Sequence, residues 1–102
     1  MSDDRTALEE LNRVSDTNSR HTILHYLYFP SRRGADSVAA LLRSQSFSIE
    51  ERRGADGINW LILAKHEIVP SETAIAIVRN TMEKLARDAD GEYDGWEAEV
   101  PA

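Results

Sequence analysis

The stretch HTILHYLYF at residues 21–29 decides the fold. Its nine residues are rich in β-branched and aromatic types, which favour a strand, and Pro30 ends the run. Both alternating sets of side chains contain large apolar or aromatic residues, which is typical of a strand covered on both faces. We therefore predict a central strand of a sheet, with the other elements arranged around it.

A helix and two strands follow this run. From Ala35 onwards apolar residues recur at helical spacing, which predicts a helix to about Ser44. Residues 47–53 then alternate between apolar and polar types, as a half-buried strand does. The turn residues at 53–57 include an Asp-Gly pair, which favours a hairpin to the next predicted strand at 60–66.

The second half of the chain supplies a long helix and a last strand. Ser71 is a natural N-cap, and apolar residues follow it at helical spacing. Gly91 lies just beyond the predicted C-terminus, where a glycine commonly stops a helix. The last strand is predicted over residues 92–100.

This order, βαββαβ after an N-terminal helix, predicts an α+β fold of the ferredoxin-like sandwich type. Two right-handed crossovers and a hairpin most simply give a four-stranded antiparallel sheet of order 4-1-3-2 with two helices on one face. We interpret residues 1–102 as a single domain. Within it, residues 1–19 form a short helix and linker, and residues 20–100 form the ferredoxin-like core.

The second face of this sheet needs a cover. The first and third strands, central in the predicted order, are apolar on both of their faces. Two helices on one side leave the other side bare. The N-terminal helix, a second copy of the chain or a partner protein could each cover it.

The composition limits the classes of protein to consider. A chain of 102 residues with 41% hydrophobic and 29% charged residues is an ordinary globular domain with one core. The absence of cysteine excludes disulfides and the usual structural zinc sites. The N-terminus is acidic and polar, and no run approaches the roughly 18 apolar residues of a membrane span. We expect a cytoplasmic location and no membrane partner.

The net charge of −6 is concentrated near the end of the chain. Residues 83–102 carry seven acidic and two basic residues. Such a region repels phosphate backbones and attracts basic protein segments. The alternative is a merely solvated surface.

The chemistry-bearing residues do not form a catalytic or metal-binding motif. His21 and His25 are four residues apart, which on a strand is about 13 Å and too far for one shared ion. The sequence has neither a G-x-S-x-G nucleophile frame nor a G-x-G-x-x-G phosphate loop. We therefore predict no enzyme activity, no catalytic residue, no metal and no cofactor.

A ferredoxin-like sheet that displays aromatic residues also suggests RNA recognition. Tyr26 or Tyr28 could stack on bases, as aromatic side chains of RNA-recognition domains do. The RNP1 pattern is missing, however, and the acidic charge opposes binding to a phosphate backbone. We expect no direct nucleic-acid partner.

The stretch GEYDGWE at residues 91–97 is the most distinctive run in the chain. Its Asp-Gly pair interrupts a predicted edge strand, and a glycine there commonly marks a β-bulge. Simple alternation divides the strand into an inward and an outward set. The inward set is Trp96, Ala98 and Val100, and the outward set is Tyr93, Glu97 and Glu99. Two interpretations remain open. Tyr93 and Trp96 are core residues with no further role, or the bulged acidic edge binds a basic segment of a partner.

The combination of HTILH at 21–25, the long helix from Ser71 and EYDGW at 92–96 resembles the regulator of ribonuclease activity B family, protein inhibitors of ribonuclease E. The resemblance extends over roughly residues 18–100. It implies a ferredoxin-like domain of the bacterial cytoplasm that binds the endonuclease and lowers its activity without cleaving RNA. The residues that match the family pattern are His25, Tyr93, Asp94, Gly95 and Trp96.

We therefore predict a protein-binding regulatory domain. Its partner would be ribonuclease E or a similar endoribonuclease with a basic segment. The predicted contact residues are Glu92, Tyr93, Asp94, Gly95, Trp96, Glu97 and Glu99, with His25 as a family-matched residue of the sheet. The alternative is a small-ligand-binding or self-associating domain, in which a homodimer buries the second sheet face.

Overall fold

A computed structural model of the chain describes residues 4–99. Its elements are α1 (Asp4–Val14), β1 (His21–Phe29), α2 (Arg32–Ser44), β2 (Ser48–Arg53), β3 (Trp60–Ile68), α3 (Glu72–Asp88) and β4 (Glu92–Ala98). The predicted order of helices and strands is therefore confirmed. The predicted inward position of Val100 lies outside the described residues.

The four strands form one antiparallel sheet of order β2-β3-β1-β4. Read from the other edge, this is the expected order 4-1-3-2. The architecture is α+β and agrees with a ferredoxin-like arrangement. β1 pairs with β3 along its whole length and with β4 on its other side, which makes it the central strand. β4 forms one edge of the sheet.

Helices α2 and α3 cover one face of the sheet, and the main core lies between the helices and this face. Each large apolar side chain buried there contributes about 1.5–3 kcal/mol relative to exposure. The buried members are Leu27, Phe29, Ala35, Val38, Ala39, Leu42, Ile62, Ala64, Met82 and Ala86. On β1 and β3 these are alternate residues, so the other set of side chains must point to the opposite face.

Both covering helices begin at a serine N-cap. The hydroxyl of Ser71 accepts a hydrogen bond of 3.0 Å from the backbone N–H of Ala74, as the sequence predicts. Ser31 does the same for Gly34 at 3.1 Å at the start of α2. Each cap satisfies an N–H group that the helix itself cannot pair.

The C-terminus of α3 ends differently from the glycine stop that the sequence suggests. Asp90, not Gly91, takes the left-handed conformation, with φ of 58°. The N–H of Gly91 then reaches back 2.7 Å to the carbonyl oxygen of Ala86, which closes a Schellman motif. Gly91 is needed for a different reason, because a Cβ at this position would overlap the Phe29 ring and the carbonyl oxygen of Tyr28.

Helix α1 lies beside α3, on the same side of the sheet. The Asp4 carboxylate accepts a hydrogen bond of 2.6 Å from Nε of Arg79 on α3 and another of 3.0 Å from the indole N–H of Trp96 on β4. Leu11 is the buried residue of this helix. Of the three covers considered for the second sheet face, α1 is therefore excluded.

The close packing of Gly91 against β1 predicts that a larger residue at this position lowers stability. Gly91→Ala should lower the free energy of unfolding by about 1–3 kcal/mol, because the added methyl group overlaps β1 backbone that cannot move aside. The measurement is the urea midpoint followed by circular dichroism. Asp90→Gly is the matched control and should change stability little, since its backbone already has positive φ. Equal midpoints for Gly91→Ala and the unmodified chain would contradict the steric argument.

Candidate functional site

The sheet face opposite α2 and α3 is the first part of the candidate site, and we call it the open face. Strand register places alternate residues of β1 and β3 together on it. Its centre consists of Leu24, Tyr26, Tyr28, Leu61 and Leu63. The three leucines are only 6–7% exposed, although α1, α2 and α3 all lie on the other side. The flanking side chains of the same face, including both half-buried tyrosines, therefore shield them.

Four carboxylates follow one border of the open face, and we call them the acidic margin: Glu92, Asp94, Glu97 and Glu99. Glu97 lies opposite Leu24 and Glu92 opposite Tyr28, so both project from the open face. The N–H of Glu99 donates to the carbonyl oxygen of Thr22 at 2.9 Å, which continues the same register. All four side chains are exposed. All four acidic residues that the sequence selects are thus exposed along β4 and the residue that follows it.

Tyr26 connects the centre of the open face to the acidic margin. Its hydroxyl donates a 2.6 Å hydrogen bond to Oε1 of Glu97 across the strand pair. This bond to a carboxylate, with burial as the smaller cause, raises the pKa of Tyr26 to about 12. The hydroxyl therefore stays protonated and remains a donor at physiological pH.

The predicted bulge is present at Gly95, which has φ of 106° and open space around its Cα. The pairing register shifts here, so that His25 lies opposite Trp96 and Leu27 opposite Tyr93. One extra residue reverses the alternation between the two sides of the shift. Tyr93 and Trp96 consequently both point to the helix side. The prediction that Tyr93 points outward with the glutamates is wrong, because simple alternation ignored the residue that the bulge inserts.

Tyr93 belongs to a partly buried chain of hydrogen-bonded groups that includes two histidines. Its hydroxyl lies 2.9 Å from Nδ1 of His25, and Nε2 of His25 lies 2.9 Å from Nε2 of His66. Phe47 stacks on the His66 ring with the ring centres 4.5 Å apart. His25 is fully buried, so it supports the sheet from within and offers no surface to a partner.

Burial keeps this chain of groups neutral. Desolvation, with a smaller contribution from the nearby His66, lowers the pKa of His25 to about 3. Desolvation also lowers the pKa of His66 and raises that of the Tyr93 hydroxyl. With His25 neutral, either of its tautomers can make both of its hydrogen bonds, one as donor and one as acceptor.

Two contacts of this region were not predicted from the sequence. His66 is the last residue of the strand predicted over 60–66, and it lies two positions along β3 from Ala64, the register partner of His25. Its Nε2 is 2.9 Å from Nε2 of His25. Asp4, which holds Trp96 in place, lies 92 residues earlier in the chain. A signal for the first contact exists, because both histidines fall on helix-facing positions of adjacent strands. No local pattern points to the second.

Among residues 4–99, no group of three or more histidine and acidic side chains is placed to hold a metal ion. Within the same range no helix is long and apolar enough to cross a membrane. His21 and His25 both lie on β1, and His21 is paired instead with the Ser15 hydroxyl at 2.8 Å.

The model of a family described as regulator of ribonuclease activity B matches residues 2–98, nearly the whole chain. The chain belongs to the regulator of ribonuclease activity B family. The resemblance seen in the sequence is thereby confirmed. Comparison with curated protein sequences finds no match.

Membership of the regulator of ribonuclease activity B family places the open face and most of the acidic margin inside the matched segment. The match ends at residue 98, one residue before Glu99. The partly buried chain from Tyr93 to His25 and His66 lies wholly within it. The open face, three of the four carboxylates of the acidic margin and this chain of polar groups therefore lie within the matched segment of a family whose name implies regulation of ribonuclease activity.

The buried histidines predict that stability depends on pH. An unfolded histidine titrates near pH 6.5, whereas His25 in the fold binds a proton only near pH 3. The free energy of unfolding should have its highest value above pH 6.5. Between pH 6.5 and about 3 it should fall by up to a few kcal/mol, because in this range the unfolded chain binds a proton that folded His25 does not. Urea unfolding at pH 7.5, 6.5, 5.5 and 4.5 measures this.

His25→Gln is the control for this measurement. Glutamine keeps a donor and an acceptor but does not titrate, so the variant should be less stable at pH 7.5 and lose less stability toward pH 4.5. The lowered pKa of His66 leaves some dependence in the variant. An unchanged slope in His25→Gln would show that His25 is not the group responsible.

Proposed function

We propose that this chain regulates a ribonuclease by direct protein contact, with the open face and the acidic margin as the contact surface. The partner is a ribonuclease E-type endoribonuclease that carries a basic segment. The observation that carries the proposal is the alignment of four exposed carboxylates along one border of an apolar, tyrosine-bearing sheet face. Family membership independently supports regulation of ribonuclease activity.

The centre of the open face has the composition of a binding surface. Tyrosine is enriched where proteins bind one another, because its ring buries apolar area while its hydroxyl keeps a polar partner. Tyr26 and Tyr28 are half-buried in the free chain and stand over shielded leucines. A partner laid on this face would complete their burial.

The charge of the surface is asymmetric. The β4 border of the open face carries the four carboxylates of the acidic margin. The β2 border carries both signs of charge, because Glu50 and Arg52 form an ion pair of 3.4 Å. A one-sided field of this kind raises the association rate of a basic partner and makes it sensitive to salt. It also repels nucleic acid, so the contact proposed is with the enzyme and not with RNA.

We propose binding and not catalysis as the mode of action. The side chains best suited to acid–base chemistry, His25 and His66, are held neutral beneath the helices and bonded to each other. They are thus used for packing. We also propose that the regulation takes place in the cytoplasm, which suits a chain that has no cysteine.

Removing the charge of the acidic margin tests the proposal. A variant in which its four residues become the corresponding amides should bind purified ribonuclease E about tenfold more weakly at low salt and inhibit it less, because the steering charge is lost. Surface plasmon resonance and cleavage of a fluorescent RNA substrate measure the two effects. The difference from the unmodified chain should shrink at high salt.

A matched control removes four carboxylates from the helices instead. Its residues are Glu9, Asp36, Glu72 and Asp88, each changed to the amide. The control changes the net charge by the same amount but leaves the acidic margin intact, so it should keep most of the binding to ribonuclease E. If both variants, or neither, lose binding, the acidic margin is not the contact surface.

A further inference from the structure

The outer edge of β4 has backbone groups directed away from the sheet. β4 is the last strand in the order β2-β3-β1-β4, with no further strand beside it among residues 4–99. Glu99 donates its N–H to the carbonyl oxygen of Thr22, so its backbone groups face β1. In an antiparallel ladder the backbone N–H and C=O groups of every second residue face away from the paired strand. The N–H and C=O groups of Trp96 and Ala98 therefore point outward, where an added strand would pair with them.

An apolar groove lies beneath this edge, on the helix side. It has a volume of about 500 Å³ and lies between α1 and β4. Ala7, Leu11 and Val14 line its α1 wall, and the Trp96 and Ala98 side chains line its β4 wall. Val14 is 65% exposed, which leaves its side chain free to contact a further element.

The two sides of the edge differ in chemistry. Side chains of an added strand that lie level with Trp96 and Ala98 would enter the apolar groove. Those level with Glu97 and Glu99 would stand on the open face, beside carboxylates. Directly opposite side chains on neighbouring strands lie about 5 Å apart, close enough for both kinds of pair. The edge thus selects a strand whose residues alternate between apolar and basic.

We propose that the β4 edge binds an extended partner segment of alternating apolar and basic residues as a fifth strand of the sheet. This inference rests on the proposed function, and it specifies that the basic segment of the partner binds as an extended strand. Main-chain hydrogen bonds to Trp96 and Ala98 supply affinity, and the two rows of side chains supply specificity. The bulge at Gly95 limits the paired stretch to residues 95–99, because it bends the edge away before that point.

A second copy of this chain is a poor occupant of the same edge. Two β4 strands paired side by side would bring Glu97 and Glu99 of one copy against those of the other. Like charges on neighbouring strands destabilise the pairing. The edge is therefore protected from self-association by the same carboxylates that attract a basic strand.

Synthetic peptides test the proposal without changing the protein. The probe is a nine-residue peptide of alternating valine and arginine, compared with a peptide of the same composition in which the arginines form one block. Binding is measured by calorimetry at low salt and by amide exchange of Trp96 and Ala98. The alternating peptide should bind at least about tenfold more tightly and slow both amides, because only it matches both rows of side chains.

N-methylation of the probe separates strand addition from simple charge attraction. One derivative is methylated on the valine nitrogens and a second on the arginine nitrogens. Only one alternate set of N–H groups can face β4, so one derivative should lose binding and the other keep it. Loss with the valine set indicates antiparallel addition, and loss with the arginine set indicates parallel addition. Equal binding by both derivatives overturns the proposal.

Ala98→Pro provides the matching change in the protein. It removes an outward N–H while the β1 ladder keeps its bonds, and proline is tolerated on an edge in that orientation. We expect the variant to lose binding of the alternating peptide, whereas Ala98→Ser, which keeps the N–H, retains it. Circular dichroism shows whether both variants are folded. Full binding by a folded Ala98→Pro chain contradicts strand addition.

The same variants distinguish this inference from the proposed function. If ribonuclease E binding falls in the acidic-margin variant but not in Ala98→Pro, the contact surface stands and strand addition fails. If neither variant reduces ribonuclease E binding, the proposed function itself fails. Reduced binding in both supports the two together.

Discussion

β1 has one face packed beneath helices and one face without a helix, and the positions of the other elements depend on this difference. Its helix-facing side chains, such as Leu27 and Phe29, are sealed beneath α2 and α3. Its other set, such as Leu24 and Tyr26, faces a side with no helix among the described residues. The helix side is closed by ordinary apolar packing. The other side is only screened by its own larger side chains, so it stays available for contact.

A polar chain within the packed side gives that arrangement a fixed geometry. Tyr93, His25 and His66 connect β4, β1 and β3 through hydrogen bonds, with His25 fully buried and the other two side chains half-buried. Directional bonds of this kind specify one register of the three strands, whereas apolar contacts alone tolerate small shifts. The bulge at Gly95 makes the chain possible, because it turns Tyr93 toward His25 while Asp94 remains at the surface.

Periodicity was sufficient to predict the order of elements, the N-cap at Ser71 and the exposed acidic margin, because each depends on a local pattern. It was not sufficient to orient Tyr93, since that required knowing which residue the bulge adds to the strand. The sequence indicates Gly91 as the residue that stops α3, although the neighbouring Asp90 has the left-handed conformation at this helix end. The contact between Asp4 and Trp96 joins distant parts of the chain and has no local signature.

The inserted residue at Gly95 also constrains how this strand can change length. Tyr93 and Trp96 are three positions apart yet face the same side, because one extra residue lies between them. Loss of that one residue would leave the rings two positions apart, so regular alternation would keep both of them on the helix side. Loss of a second residue would place the rings on opposite sides and expel either Tyr93 or Trp96 from the interior. This part of β4 therefore tolerates shortening by one residue but not by two.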